Sequence, residues 1–262
     1  MAKATKSSEI EVLTLKNGEV TFCVLGQTAL YFNCMAGKAM RELLLPRGRL
    51  TTAQKATNLK HDPYSEFRNS AEKRGSFENG PTRLLMPSTA FKKALMAAAL
   101  DMPTSVAKTQ IGRLTWVVGE KVDIFGIPKL SMEIVRSADM NKTPDVRTRA
   151  VCEEWACRVT FRFVEPNLSA QSVATLFAAA GMIIGVGDKR QEKGAGNQGQ
   201  FILVGEDDPD FQRIMRTGGM EAQDTALEAA EPRDAQAEEL LQWFDEEVGK
   251  RGKAGSTKQA AA

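Results

Sequence analysis

The sequence predicts an α+β fold, a β-α-β-β-α-β core in which an antiparallel sheet is backed by two helices. Three observations predict it. Residues 156–164 alternate with period two, placing Cys157, Val159, Phe161 and Phe163 on one face and Arg158, Thr160 and Arg162 on the other. Two other segments, 88–100 and 169–180, carry helical spacing, and each is flanked by strand-like runs. All of these elements fall within residues 1–205 of a 262-residue chain, enough length to bury a core without disulfides or metal.

The first strand is expected at 19–25 (EVTFCVL). A long polar insertion, about residues 33–86, follows it, with ten Lys and Arg against five acidic residues. The first helix opens at Pro87-Ser88, sets Phe91, Leu95 and Ala98 on one side with Lys92 and Lys93 away from it, and ends before Asp101-Met102-Pro103. Strands are expected at 111–118 (IGRLTWVV) and 130–135 (LSMEIV). The irregular span 136–154 reads as a hairpin or thumb-like loop projecting from the sheet. After the strand at 156–164, the second helix starts at Ser169, aligns Val173, Leu176, Phe177 and Ala180, and stops at Gly181. The last strand is 200–204 (QFILV).

Charge divides the chain more sharply than hydropathy does. Residues 1–205 hold 28 basic and 19 acidic residues, net +9, whereas residues 206–262 hold 7 and 14, net −7. The reading is therefore a basic body, 1–205, and an acidic, partly disordered tail, 206–262. The tail contains one helical stretch, 234–248, with Leu240, Leu241, Phe244 and Val248 on one face. That helix either packs back on its own domain or docks a partner protein.

Several function classes lose their footing here. There is no run of about 18 to 20 apolar residues and no apolar core for a signal peptide, so a cytoplasmic protein without a membrane partner is expected. Cys23, Cys34, Cys152 and Cys157 include no CxxC pair, and His61 is the only histidine. No metal, no cofactor and inert thiols are expected. A serine-nucleophile elbow and a Walker-type phosphate loop are both missing.

The most informative segment is 181–201, GMIIGVGDKRQEKGAGNQGQF. It contains G-x-G-x-x-G at Gly194, Gly196 and Gly199, but a dinucleotide fingerprint must follow a strand and open a helix, and this loop does the reverse. What remains is a glycine-rich connection with exposed backbone N–H groups and three cations, Lys189, Arg190 and Lys193, suited to a phosphate backbone lying across a sheet. Solvated charges on a flexible hairpin are the plainer alternative. Asp188 is expected to bond backbone N–H groups of the loop.

A helix followed by this glycine-rich run and an aromatic strand resembles the RAMP (repeat-associated mysterious protein) superfamily, whose members build the RNA-binding backbone of CRISPR effector complexes. Four blocks are similar to a family of uncharacterised tailed-phage proteins of that kind: GQTALYFNCM at 26–35, MPSTAFKKALMAAA at 86–99, DVRTRAVCEEWACRVTFRF at 145–163 and the long block at 168–201. The chain departs from that pattern where Gln191 follows Arg190 and where Gln200 stands between Gly199 and Phe201. The resemblance implies a ferredoxin-like (RRM-like) core holding a single strand, copies stacked along it, a thumb at 136–154 and fingers at 33–86.

The functional expectation is a non-enzymatic subunit that binds single-stranded RNA or DNA and oligomerises along it. The contact residues expected are Lys38, Arg41, Arg47, Arg49, Lys55 and Arg68 in the insertion, Arg158 and Arg162 on the best strand, and Gly185, Gly187, Lys189, Arg190, Lys193, Gly196 and Gly199 in the loop. Tyr64, Phe67 and Phe77 lie among the basic residues of the insertion, either as stacking platforms or as local packing. Trp155 is expected in the core. Four alternatives stand beside this reading: a metal-independent endoribonuclease of the kind the RAMP resemblance implies, with His61 as base; metal-assisted target cleavage through Asp145 on the thumb-like loop; a phage single-stranded-DNA-binding or recombination protein; and a virion structural protein.

Overall fold

The computed structural model describes residues 14–34, 61–102, 107–136, 144–193 and 196–259. In chain order the elements are β1 (Lys16–Gly26), β2 (Leu30–Tyr31), α1 (Pro63–Ser70), β3 (Glu72–Lys73), β4 (Leu84–Pro87), α2 (Ser88–Asp101), α3 (Lys108–Leu114), β5 (Thr115–Val117), β6 (Lys121–Asp123), β7 (Pro128–Arg136), β8 (Pro144–Cys152), β9 (Ala156–Glu165), α4 (Ala170–Ile183), β10 (Phe201–Val204), α5 (Pro209–Thr217), α6 (Met220–Ala229) and α7 (Ala235–Gln259).

The alternating segment is β9, and its pattern is obeyed: Cys157, Val159, Phe161 and Phe163 are buried while Arg158 and Arg162 are exposed. Antiparallel ladders join it to β1 and β5, and β10 lies beyond β1, in the order β10-β1-β9-β5. Helices α2 and α4 back the buried face. Phe177 of α4 lies at the centre, with ring centroids 4.8 Å from Phe161, 5.0 Å from Phe201 and 6.4 Å from Phe91 of α2. Trp155 is fully buried and donates from Nε1 to the Thr28 carbonyl at 2.9 Å.

Two expected strands need correction. Residues 108–114 form α3, and only 115–117 continue as strand, because Ile111 and Leu114 fit helical spacing as well as alternation. Gly112 permits that helix its approach to α2, since a Cβ there would stand 2.6 Å from Met96 Cε. The strand expected at 130–135 exists, but it belongs to a second sheet, β2-β8-β7. Its partner β8 occupies residues 144–152 of the span read as a hairpin or thumb-like loop, pairing Val135 with Asp145 and Pro128 with Cys152. Polar residues DVRTR concealed β8; its burial becomes continuous only from Thr148.

The described part of the insertion, 61–86, also has its own order. Asp62 caps α1 by accepting from Ser65 N at 3.1 Å, and Phe67 is fully buried. Strand β4 pairs with β3 on one side and β6 on the other in a third sheet.

The tail differs most from expectation. Residues 209–259 form three helices, and Phe211, Ile214, Leu227, Ala237 and Leu241 are buried against the body. Glu206 meets Arg158 at 2.8 Å, Tyr64 donates to Asp245 at 2.8 Å, and Arg83 grips Asp224 through two bonds of 2.7 and 2.8 Å. Its acidic composition masks one apolar position per turn, which is all a helix needs to attach.

All four cysteines are free thiols, and burial pushes those of Cys152 and Cys157 far above their ordinary range. Among the described residues no helix is long and apolar enough to cross a membrane.

Candidate nucleic-acid interface

The glycine-rich loop leaves α4 and folds over β2. Val186 donates to the Gly199 carbonyl at 2.9 Å, Asp188 to Tyr31 at 2.9 Å, Gln198 to Lys189 at 3.1 Å and Gly199 to Ala29 at 2.9 Å. Gly199 has φ 71°, and a Cβ there would stand 1.8 Å from the Val186 carbonyl oxygen. At Gly187, φ is 83° and a Cβ would stand 2.7 Å from the Tyr31 oxygen. Gly185 donates to the Ala180 carbonyl at 2.9 Å, and Gly196 lies against the Lys189 carbonyl. These glycines thus shape the loop itself.

Each described cation of the loop region has a partner. Lys189 pairs with Glu133 of β7 and lies 4.5 Å from the Tyr31 ring centroid. Arg190 meets Glu192 at 2.7 Å and donates to the Gly187 carbonyl at 3.0 Å. Asp188 pairs with the buried Arg149 at 2.7 Å, so its carboxylate is held by a side chain of β8 where loop N–H groups were expected. The side chain of Lys193 lies outside the described residues, as do Lys38, Arg41, Arg47, Arg49 and Lys55. On the open face of β9, Arg162 pairs with Glu19, and Arg158 lies 5.4 Å from the Phe211 centroid of α5, which covers part of that face. Of these, the exposed Arg162–Glu19 pair contributes only about 0 to 1 kcal/mol.

Beside the loop is a cleft of about 500 Å³ whose walls come from β2, the start of α2 and the loop. Thr89, Ala90 and Lys93 line one wall; Gly185, Gly187 and Arg190 line the other. The α2 N-terminus has neither a side-chain cap nor an acidic residue in its first turn. First-turn N–H groups lack intrahelical partners and carry the positive end of the helix dipole. Lys93, one turn further on, is exposed and has no ion pair among the described residues. Sequence reading noted Lys93 only as lying off the apolar side. The signal available was a Lys-Lys pair behind an N-terminus free of acidic residues.

The two residues considered separately for cleavage are neighbours. His61 Nε2 lies 3.1 Å from Asp145 Oδ1, while its Nδ1 lies 2.9 Å from Glu66 Oε1. Both ring nitrogens therefore face carboxylates. The triad ties α1 to the hairpin strand β8. Among the described residues, no group of three His, Cys, Asp or Glu side chains is arranged to hold a metal.

No family model matches the chain, and no curated protein matches it. Among solved structures, 31 chains match. One is a chain in the cryo-EM structure of the type III-B Cmr-beta bound to cognate target RNA, 9% identical with a TM-score of 0.39. That match covers 72% of this chain and 60% of the other, so the chain spans less than two thirds of that neighbour's length.

Proposed function

We propose that the protein is a non-enzymatic subunit that binds single-stranded nucleic acid, RNA foremost, and assembles in repeated copies along the strand. The observation that carries this reading is the cleft where the first turn of α2, which has no side-chain cap although Ser88 N donates to the Glu120 carbonyl at 2.9 Å, and Lys93 face Arg190 across a lining that also includes Asp188 and Glu192. A phosphate diester is the anion that suits it, being singly charged, able to accept from backbone N–H groups and unable to fill the space alone. The folded chain carries a net charge of only +2, because the acidic helices pack on the basic body, so the attraction is local to the cleft. Strand order β10-β1-β9-β5, with α2 backing the sheet between its first and second strands in chain order and α4 between its third and fourth, supports a ferredoxin-like core of the RAMP type. RNA is placed ahead of DNA only by the resemblance of the helix, glycine-rich run and aromatic strand at 169–204 to the RAMP superfamily, and the test therefore includes both.

Fluorescence anisotropy with labelled homopolymeric RNA and DNA strands tests this. Affinity is expected to fall steeply and linearly on a log scale with salt, as several counterions leave together. Replacing Lys93 and Arg190 by Ala is expected to weaken binding about tenfold or more, to the same degree for every sequence. Failure to bind any strand at low salt would remove the proposal. Assembly along the strand is checked by particle mass, which should rise in equal steps as the strand lengthens.

The contact between His61 and Asp145 gives the endoribonuclease reading its one specific support. Both ring nitrogens are engaged, however, and a general base needs one of them turned to the substrate hydroxyl. Labelled RNA incubated with the protein is expected to remain intact with or without divalent metal. Cleavage abolished by His61→Ala or Asp145→Ala would establish the enzyme instead.

A further inference from the structure

A second polar hollow, of about 380 Å³, lies on another part of the surface, between α1, the β3–β4 connection and α6. Arg68, Lys73, Arg74, Ser76 and Arg83 line it, together with Asp224, Leu227 and Glu228. Two of its cations are neutralised: Arg83 by the bidentate contact with Asp224, and Arg74 by Asp123. The other two are not. Arg68 donates from Nε to the Leu227 carbonyl at 3.2 Å and has no carboxylate partner among the described residues. Lys73 has neither a hydrogen bond nor an ion pair among them, and partial burial beside Arg68 and Arg83 lowers its ammonium pKa. Asp224 offsets part of the repulsion among Arg68, Lys73 and Arg83, and an anion would relieve the rest.

Next in the chain to Ser76 stands Phe77, whose side chain is 102% exposed. It is the one aromatic of the insertion that is neither packed in the core, as Phe67 is, nor bonded across the surface, as Tyr64 is. Phe77 is not itself in the lining, but a fully solvated phenyl ring one residue from Ser76 on the wall of a cationic hollow has the make-up of a nucleotide subsite, with a phosphate on the cations and a base on the ring. Glu228, also on the rim, opposes a doubly charged phosphate monoester more than a singly charged diester.

We propose that this hollow is a second strand-binding subsite, in which Arg68 and Lys73 hold a backbone phosphate and Phe77 stacks the adjoining base. The inference rests on the single-strand reading above, but on residues separate from the Lys93–Arg190 cleft.

The test uses the full-length protein and an RNA strand carrying photoreactive 5-iodouridine. Irradiation is expected to attach the strand to Phe77, identified by mass spectrometry of the peptide. Phe77→Ala is expected to weaken strand binding about tenfold, and Phe77→Trp to retain it. Lys73→Glu is expected to weaken it by at least as much. Neither change removes a core contact, so melting temperature should stay within the scatter of wild type. Full affinity in both variants, with crosslinks confined elsewhere and binding still sensitive to Lys93→Ala, would overturn this subsite and leave the strand reading standing. No binding by wild type would overturn both. Uridine monophosphate binding as tightly as the strand would overturn the strand assignment in favour of a free nucleotide.

Discussion

Ending the chain after Val204 is expected to give an aggregating polypeptide with no cooperative melt, even though the segment removed carries a net charge of −7. Phe211 is fully buried, and Ile214, Leu227 and Leu241 are each at most 6% exposed. Burial of four such side chains contributes on the order of 6 to 12 kcal/mol, comparable with the whole stability of a domain, about 5 to 15 kcal/mol. Their removal also uncovers Leu25, Phe125 and Ala156, which pack with Phe211 and Ile214. A contiguous apolar surface of that kind drives association. Ending the chain after Val248 keeps every one of these contacts, and that shorter protein is expected to melt like the full chain. Circular dichroism and sedimentation of the two truncated forms distinguish the cases. A soluble fragment 1–204 that melts cooperatively and binds RNA at least as tightly as the whole would show that the acidic helices are an appendage competing for the basic face.

The main sheet and its two helices were legible because each carries a strong periodic signal. Strand β9 alternates over nearly its whole length, and α2 and α4 place aromatic and aliphatic residues on one stripe between clear punctuation at Pro87-Ser88 and Ser169. Legibility failed where burial depends on a distant partner. The outer half of β8 is polar because only its inner half, from Thr148 on, enters the core. Helix α6 shows a similar effect: of MEAQDTALEA, only Gln223 and Leu227 are buried, and no local rule marks a glutamine as a core residue. At the candidate site the glycines stood out in sequence, yet their positive φ and close contacts serve the loop itself. Lys93 carried only the weak signal of a Lys-Lys pair behind a helix start free of acidic residues, and Phe77 could not be told from Tyr64 and Phe67 by sequence alone. Their importance arises from what folding places beside them, a helix end and Arg190 in one case, a hollow lined by Arg68 and Lys73 in the other.

Gln223 joins the tail to the body, and replacing it is expected to destabilise the protein in a way that depends on pH for one substitution and not for another. Its side chain is fully buried. The amide oxygen accepts from Arg83 N at 2.7 Å and Leu84 N at 2.9 Å, while the amide nitrogen donates to the carbonyls of Ile124 at 2.7 Å, Gly126 at 3.1 Å and Gly218 at 2.8 Å. One side chain thus completes the backbone of β4, of the turn after β6 and of the α5 C-terminus. Gln223→Ala leaves these groups without that partner and opens a cavity, a loss on the order of 4 kcal/mol, or a melting temperature lower by roughly 10 °C. Gln223→Glu keeps the shape and replaces the donor with an ionisable oxygen facing three carbonyls. Burial and those carbonyls disfavour the carboxylate, so its folded pKa lies above the unfolded value of about 4.3. A pKa raised on folding leaves stability intact below the unfolded pKa and removes it as pH rises towards the folded one, by about 1.4 kcal/mol per unit. The Glu variant should therefore be closest to wild type near about pH 4 and fall behind it steadily towards neutrality, whereas the deficit of the Ala variant should stay constant. Urea denaturation of the three proteins across that range measures both trends. A Glu variant whose deficit is flat with pH would mean that water reaches position 223 and that the buried clamp does not hold the tail in place.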